Sequence, residues 1–232
     1  MSTAAPVQTE TPLPKPEGLE GVVAASTALS HVFGEEGKLV YRGYDIHELA
    51  GKASFEEVAH LLWIGHLPTA AELAEFQKKL EANRNLPKRV IDVLRLLPPD
   101  TLPMDALRTG LSALGAIEQS AFAEAPDLDQ AIAIAARFPA ILADFFRLRA
   151  GKEPVTPKPG HNTAQSYLWQ LLGTEPEERH WKPLETYLVL LADHGMNAST
   201  FTARVIASTQ SDLVSALTGG VGALKGPLHG GA

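Results

Sequence analysis

The sequence predicts a mostly α protein with one small β-hairpin near its N-terminus. Three observations carry this expectation. Helix start and stop marks recur from Ser54 onward, the apolar residues between them fall at three- and four-residue spacing, and the only convincing β-like pattern lies within residues 26–50. With 232 residues, 45% of them hydrophobic, the chain is long enough to bury a real core.

Taken in order, the first eighteen residues, MSTAAPVQTETPLPKPEG, hold four prolines and no apolar run. They read as a disordered leader rather than a signal or transit peptide. The stretch STALSHVFGEEGKLVYRGYDIHELA then carries two short β-like runs around Gly34-Glu35-Glu36-Gly37, a hairpin turn, with Gly43 ending the second run. Glu35 and Glu36 are adjacent and point apart, which suits a solvated turn. Ser54 with Glu57 makes a capping box ahead of Phe55, Val58, Leu61 and Leu62, and Gly65 and Pro68 stop that helix. Thr69 with Glu72 makes a second box before Leu73, Phe76 and Leu80. Further helices are expected over Lys88 to Leu96, Met104 to Glu118, Leu128 to Arg149, Thr163 to Leu172, Leu184 to Ala192, Ala198 to Ser208 and Asp212 to Leu217. Pro139 is expected to kink the third of these, since its ring removes a hydrogen bond and crowds the preceding turn. Segments 151–160 and 173–183, punctuated by glycine and proline, read as loops. No fixed-period repeat marks a solenoid.

Charge and composition exclude several functions. The net charge of −7, without a run of Lys or Arg, argues against nucleic acid or an anionic membrane as the main partner. Local cations still permit an anionic small molecule. The absence of cysteine removes disulfides, thiolate metal sites and cysteine nucleophiles, and is compatible with a reducing cytoplasm. The apolar run YLVLLA ends at Asp193, and no stretch reaches the roughly 18 to 20 apolar residues of a membrane span.

Familiar catalytic signatures are missing. His60 and His66 are six apart, with no glutamate following the first, so they do not form a metalloprotease helix, and no other histidine pair has clean metal spacing. GLSALG around Ser112 is misspaced for a nucleophile elbow, and GGVGALKG lacks the closing Gly-Lys-Ser/Thr of a phosphate loop. Arg42, in YRGY, reads as a brace between aromatic residues, and His31, His47, His60, His66, His161 and His180 as structural or solvated side chains. Two histidines remain. His194 follows an apolar helix in LLADHGMNASTFTAR, with Asn197 placed to cap the next helix, so the pattern alone suits a helix C-terminal cap as well as a ligand contact. His229, in KGPLHGG, is surrounded by Gly226, Gly230 and Gly231, which suit either a solvated loop or a backbone that closes on a ligand.

Four blocks, in their order and spacing, lift that ambiguity. GLEGVVAASTALS, GKLVYRGYDIHELA followed by SFEEVAHLLWIGHLPTAAEL, ADHGMNASTFTARVIAST, and LTGGVGALKGPLHGGA resemble the citrate synthase family in its bacterial and archaeal short form, from about Gly18 to the last residue. The resemblance implies that His194 contacts oxaloacetate, that His229 is catalytic, and that Asn197, Gly226 and Gly230 support the active-site loops. It implies a condensation of acetyl-CoA with oxaloacetate, with acetyl-CoA a substrate and no cofactor or metal. A homodimer and a cytoplasmic location follow from it for the full-length enzyme. Residues 19–232 would then be the N-terminal part of the large helical domain, incomplete, with the small domain and the C-terminal part absent. Family members continue beyond this point with the carboxylate base, the carboxylate-binding arginines and most of the CoA site, so the 232-residue chain is expected to be inactive alone. A 2-methylcitrate synthase using propionyl-CoA, or a non-catalytic helical dimerisation or interaction module, are the alternatives.

Overall fold

The computed structural model describes Val23 and residues 25–193 and 195–230. The leader expected over residues 1–18 lies outside the described residues, as does His194. Strands β1 (Ser30–Phe33) and β2 (Lys38–Tyr41) pair antiparallel with Ser30 opposite Tyr41 and Phe33 opposite Lys38, as the hairpin reading required. Gly37 closes the turn at φ 63°, where glycine carries no steric penalty. The structure adds a third strand that the sequence did not announce. After a two-residue turn in which Arg42 and Gly43 both take positive φ (48° and 93°), β3 (Tyr44–Asp45) pairs back on β2. Arg42 is a brace, as expected: its Nη2 donates to the carbonyl of Leu62 at 3.1 Å.

Helix α1 (Ile46–Leu49) is a single turn held by a box between Asp45 and Glu48. Both boxes read from the sequence are formed, Ser54–Glu57 at the start of α2 (Phe55–Ile64) and Thr69–Glu72 at the start of α3 (Ala70–Asn83). Gly65 ends α2 in the left-handed region at φ 109°. There follow α4 (Lys88–Arg95), α5 (Pro103–Ile117), α6 (Gln119–Glu124), α7 (Asp127–Arg149), which runs through Pro139, and α8 (Thr163–Leu172).

The last three helices, α9 (Glu178–Leu190), α10 (Ala198–Ser208) and α11 (Leu213–Leu224), bring two corrections. Residues 178–183 were expected in a loop, yet they form the first turns of α9, so His180 is helical. Pro183 sits only five residues after the first helical position, where its missing N–H removes a single bond, and the Lys182–Glu178 ion pair spans the same turn. Helix α11 does not stop at Leu217 but continues through Gly219, Gly220 and Gly222. These glycines act as packing surface. A Cβ at Gly219 would stand 2.2 Å from Cδ1 of Ile206 on α10, and one at Gly220 would stand 3.5 Å from the carbonyl oxygen of Ser199.

The main core lies where α4, α5, α7 and α11 meet, around Leu94, Leu111, Leu114, Ile134, Ile141, Val214 and Val221. A second cluster, Tyr41, Ile46, Leu49, Val58, Leu61, Leu62 and Val189, fastens the hairpin to α2 and α9. Buried polar groups tie helix ends across the fold. Glu56, fully buried, accepts from both the backbone N–H and the hydroxyl of Thr163 at 2.7 Å, which satisfies an N–H that the first turn of α8 leaves open. Arg84 donates to the carbonyl of His161. Among the described residues, no helix is long and apolar enough to cross a membrane.

Two stability outcomes follow. A Cβ at Gly110 would meet Cγ2 of Ile141 at 2.6 Å and Cδ2 of Leu94 at 3.2 Å. Overpacking of about 1–3 kcal/mol outweighs the ~1 kcal/mol that alanine gains in helix propensity. Gly110→Ala should therefore lower the urea midpoint at unchanged m-value. Asp144 on α7 is buried, its Oδ1 finds no hydrogen-bond partner among the described residues, and desolvation raises its pKa from 3.8 to about 7, with Arg147 pulling the other way. A carboxyl that holds its proton more tightly when folded loses stability as pH rises between the two values. The contribution of Asp144 to stability should fall from pH 4 to pH 7 and level off above, by no more than about 4 kcal/mol, with Glu185, also raised to about 7, acting in the same window. Asp144→Asn should flatten that slope in paired denaturation curves.

Candidate active site

The two motifs singled out in the sequence meet at one end of the α10–α11 pair. Residues 209–212 form a short link, so the helices run antiparallel and the N-terminus of α10 faces the turn that follows α11. Asn197 is the N-cap of α10, as its position suggested. Its side chain accepts from the Thr200 N–H at 2.9 Å, and its own N–H donates to the Gly195 carbonyl at 3.0 Å. Gly195, at φ 89°, turns the chain into this cap.

On the facing side, the 225–230 segment folds over the end of α11. Gly226 N–H donates to the Ala223 carbonyl at 3.1 Å, and His229 N–H donates to the Gly226 carbonyl at 3.0 Å. Gly226 and Gly230 are glycines of close approach. A Cβ at Gly226 would lie 3.2 Å from the Ala223 oxygen, and one at Gly230 would lie 2.3 Å from Cδ1 and 3.1 Å from the oxygen of Leu224. Lys225 fixes this end of α11 on α5. Its Nζ lies 2.7 Å from both carboxylate oxygens of Asp105, which also accepts from Arg108 at 2.8 Å. The Lys225 hydrogen bond, ahead of the Arg108 charge, holds the Asp105 carboxyl below the usual range.

His229 is half-buried, and its Nε2 lies 2.8 Å from Oγ of Ser199, in the first turn of α10. This contact joins the two motifs. Sequence reading missed Ser199, and the reason is physical: a hydroxyl two residues after an N-cap looks like ordinary helix-start chemistry, and its partner is 30 positions away. The Lys225–Asp105 pair, 120 positions apart, was equally invisible. His194 belongs to the same 193–197 link but lies outside the described residues, so the structure leaves its contacts unstated.

The surroundings are apolar and open. Leu228 beside His229 is fully exposed, Met196 and Phe201 are more than a third exposed, and α10 buries none of its side chains among the described residues. The site therefore holds an imidazole with a hydroxyl on one ring nitrogen, two glycines that permit close approach, and an uncovered apolar rim.

The family model for citrate synthase, C-terminal domain, matches residues 18–232. The citrate synthase of Haloferax volcanii is 48% identical over 221 residues, covering 93% of this chain and 58% of that protein. The 2-methylcitrate synthase of Mycobacterium tuberculosis (strain H37Rv) is 45% identical over 231 residues, covering 100% of this chain and 58% of that protein. Among solved structures, citrate synthase from Thermotoga maritima superposes with a TM-score of 0.81 at 40% identity, over 93% of this chain and 57% of that one. Citrate synthase from Thermoplasma acidophilum, in a ternary complex with carboxymethyl coenzyme A and oxaloacetate, superposes with a TM-score of 0.87 at 32% identity, over 92% of this chain and 57% of that one. The chain thus spans somewhat under three fifths of the length of these relatives.

The Ser199–His229 contact generates its own test. With the hydroxyl removed in Ser199→Ala, Nε2 loses its partner and the ring exchanges between tautomers. The two ring-nitrogen NMR shifts of His229, expected to be distinct in the wild-type chain, should move toward each other in the variant.

Proposed function

The chain belongs to the citrate synthase family, and we propose that it supplies the catalytic histidine and part of the oxaloacetate pocket of an enzyme condensing an acyl-CoA with oxaloacetate. The observation that carries this reading is the pairing of His229 with Ser199 at 2.8 Å inside a glycine-lined turn. When the Ser199 hydroxyl donates to Nε2, the ring proton resides on Nδ1, which is then the donor available to a ligand. The hard step is removal of a proton from the weakly acidic methyl of the thioester. An N–H aimed at the thioester oxygen stabilises the charge that develops there, as electrostatic assistance built in advance of the reaction.

In this reading, a carboxylate from the part of the relatives beyond the matched region takes the methyl proton. The carbon so formed bonds to the ketone carbon of oxaloacetate, the ketone oxygen takes up a proton, and water then cleaves the thioester to release the CoA thiol. His194 contacts oxaloacetate, and Asn197, Gly226 and Gly230 hold the two loops. Residues 19–232 act as the N-terminal part of the large domain, and the complete enzyme works as a cytoplasmic homodimer. The uncovered side chains of α10 support the view that further polypeptide packs there.

The acyl group is acetyl or propionyl. Relatives of both names match at similar identity, 48% and 45%. One methylene in a pocket is worth only about 1–3 kcal/mol, which a few side chains can supply.

The test is an assay of CoA release with oxaloacetate and either acyl-CoA. The chain alone should give no steady turnover. A chimera in which it replaces the matching part of the Thermotoga maritima enzyme should turn over, and its acyl-CoA preference identifies the substrate. His229→Ala in that chimera should lower kcat by about 10²–10³, the usual loss for one such donor. Steady turnover by the chain alone would overturn its dependence on the remaining polypeptide. A folded chimera inactive with both acyl-CoAs would overturn the function.

A further inference from the structure

A cavity of about 440 Å³ opens between α4, α7, α8 and the segment 153–157, and none of its lining residues belongs to the candidate active site. Its charges cancel except for one. Lys88 Nζ holds Asp92 at 2.7 Å along α4, and Arg95 grips Glu153 through two hydrogen bonds, of 3.0 and 2.7 Å. The fifth charged side chain of the wall, Asp144, has no such counter-ion among the described residues. Arg147, one turn further along α7, is engaged elsewhere. Its Nε donates to the carbonyl of Glu153 at 2.6 Å and its Nη1 to that of Leu171 at 3.3 Å.

Asp144 is only 3% exposed, and burial pushes its carboxyl up to about 7. Oδ1 is sealed from solvent and unbonded, so the oxygen left to meet a ligand is Oδ2. The walls decide what kind of partner fits. Leu86, Ile91, Pro154, Val155 and Pro157 surround the carboxyl with aliphatic surface. A hard metal ion needs several oxygen ligands, and among the described residues no group of three His, Asp or Glu could hold one. An anion would meet an uncompensated negative charge away from bulk water. A neutral ligand makes a weaker hydrogen bond than a charged donor does to a carboxylate.

We propose that this cavity binds a small organic monocation, a primary ammonium on an apolar body, with the ammonium at Oδ2 of Asp144 and the body against the aliphatic wall. The volume falls in the range of small-molecule sites, which combine apolar walls with a few placed polar groups. The proposal is independent of the condensation chemistry. It also gives Asp144 a use: the carboxyl that costs stability at neutral pH when unpaired is the one a bound cation would neutralise, and such a ligand stabilises the folded chain. The charged groups that share the site with Asp144 are Lys88, Asp92 and Arg95 from α4, Arg147 from α7 and Glu153 from the segment that follows, while α8 contributes the amide of Gln170.

The test uses the 232-residue chain with 2-phenylethylamine as probe, and with 2-phenylethanol and 3-phenylpropionate as neutral and anionic comparisons of like size. Binding is read from methyl NMR shifts. At pH 8 the amine should shift the methyls of Leu86, Ile91 and Val155 saturably, the alcohol should need at least about tenfold higher concentration, and the acid should shift none of them. Between pH 8 and pH 6 the affinity for the amine should fall about tenfold, because Asp144 must lose its proton to accept the ammonium. In Asp144→Asn the affinity at pH 8 should fall about tenfold or more, and the pH dependence should vanish. Val155→Trp, which fills the cavity from the half-buried segment, should abolish the shifts at Leu86 and Ile91 while leaving the carboxyl in place. Equal affinity for amine and alcohol, or an amine response that Asp144→Asn leaves unchanged, would overturn the cation site. Shifts confined to residues outside the cavity, with Leu86 and Ile91 silent, would do the same. If Asp144→Asn fails to fold, the ratio of amine to alcohol affinity and the Val155→Trp result decide.

Discussion

The contact between α10 and α11 is set by the absence of side chains. Gly219 leaves room for Ile206, where even a methyl group would overlap with Cδ1 at 2.2 Å, while a methyl at Gly220 would make only ordinary van der Waals contact with the Ser199 carbonyl, at 3.5 Å. Helices joined by a four-residue link would pack in any case, but larger residues on α11 would hold them apart. Close packing carries the first turn of α10 to the turn beyond α11, and only then does the Ser199 hydroxyl reach Nε2 of His229. The same helix is keyed into α5 by Val214 against Gly115 at one end and by Lys225 on Asp105 at the other. The histidine is therefore held by the helical core as well as by its own glycine-rich turn.

Polar groups perform a second task, that of joining segments whose hydrophobic contacts are modest. Glu56 caps α8 from α2, Arg84 ties the loop before α8 to the end of α3, and the hairpin hydroxyls reach the end of α9. Each of these satisfies a backbone group that a helix end or loop leaves open, which is why burying them is tolerated. Asp144 is the contrast. It is buried without a comparable set of donors, and its raised pKa is the physical consequence.

Much of the architecture was legible because it is local. Ser54–Glu57 and Thr69–Glu72 declare helix starts within four residues, Gly34 and Gly37 declare a turn, and Asn197 declares a cap, each by chemistry that completes itself within one turn of chain. The misreadings were also instructive. Glycines at 219, 220 and 222 and the proline at 183 are breakers by propensity, yet α11 runs through the glycines, with Gly219 packed on Ile206 of α10, and α9 runs through Pro183 at the loss of one backbone hydrogen bond.

The sequence by itself determined the helical class, the hairpin, the family, and the identity of His229 as the histidine in a glycine-lined turn, because periodicity, capping and motif order are written along the chain. Tertiary structure alone decided which groups meet. Ser199 with His229 and Lys225 with Asp105 are separated by 30 and 120 positions, and Tyr41 with Asp193 by 152. Such pairs leave no local signature, since their side chains come within hydrogen-bonding distance only after helices and strands have packed.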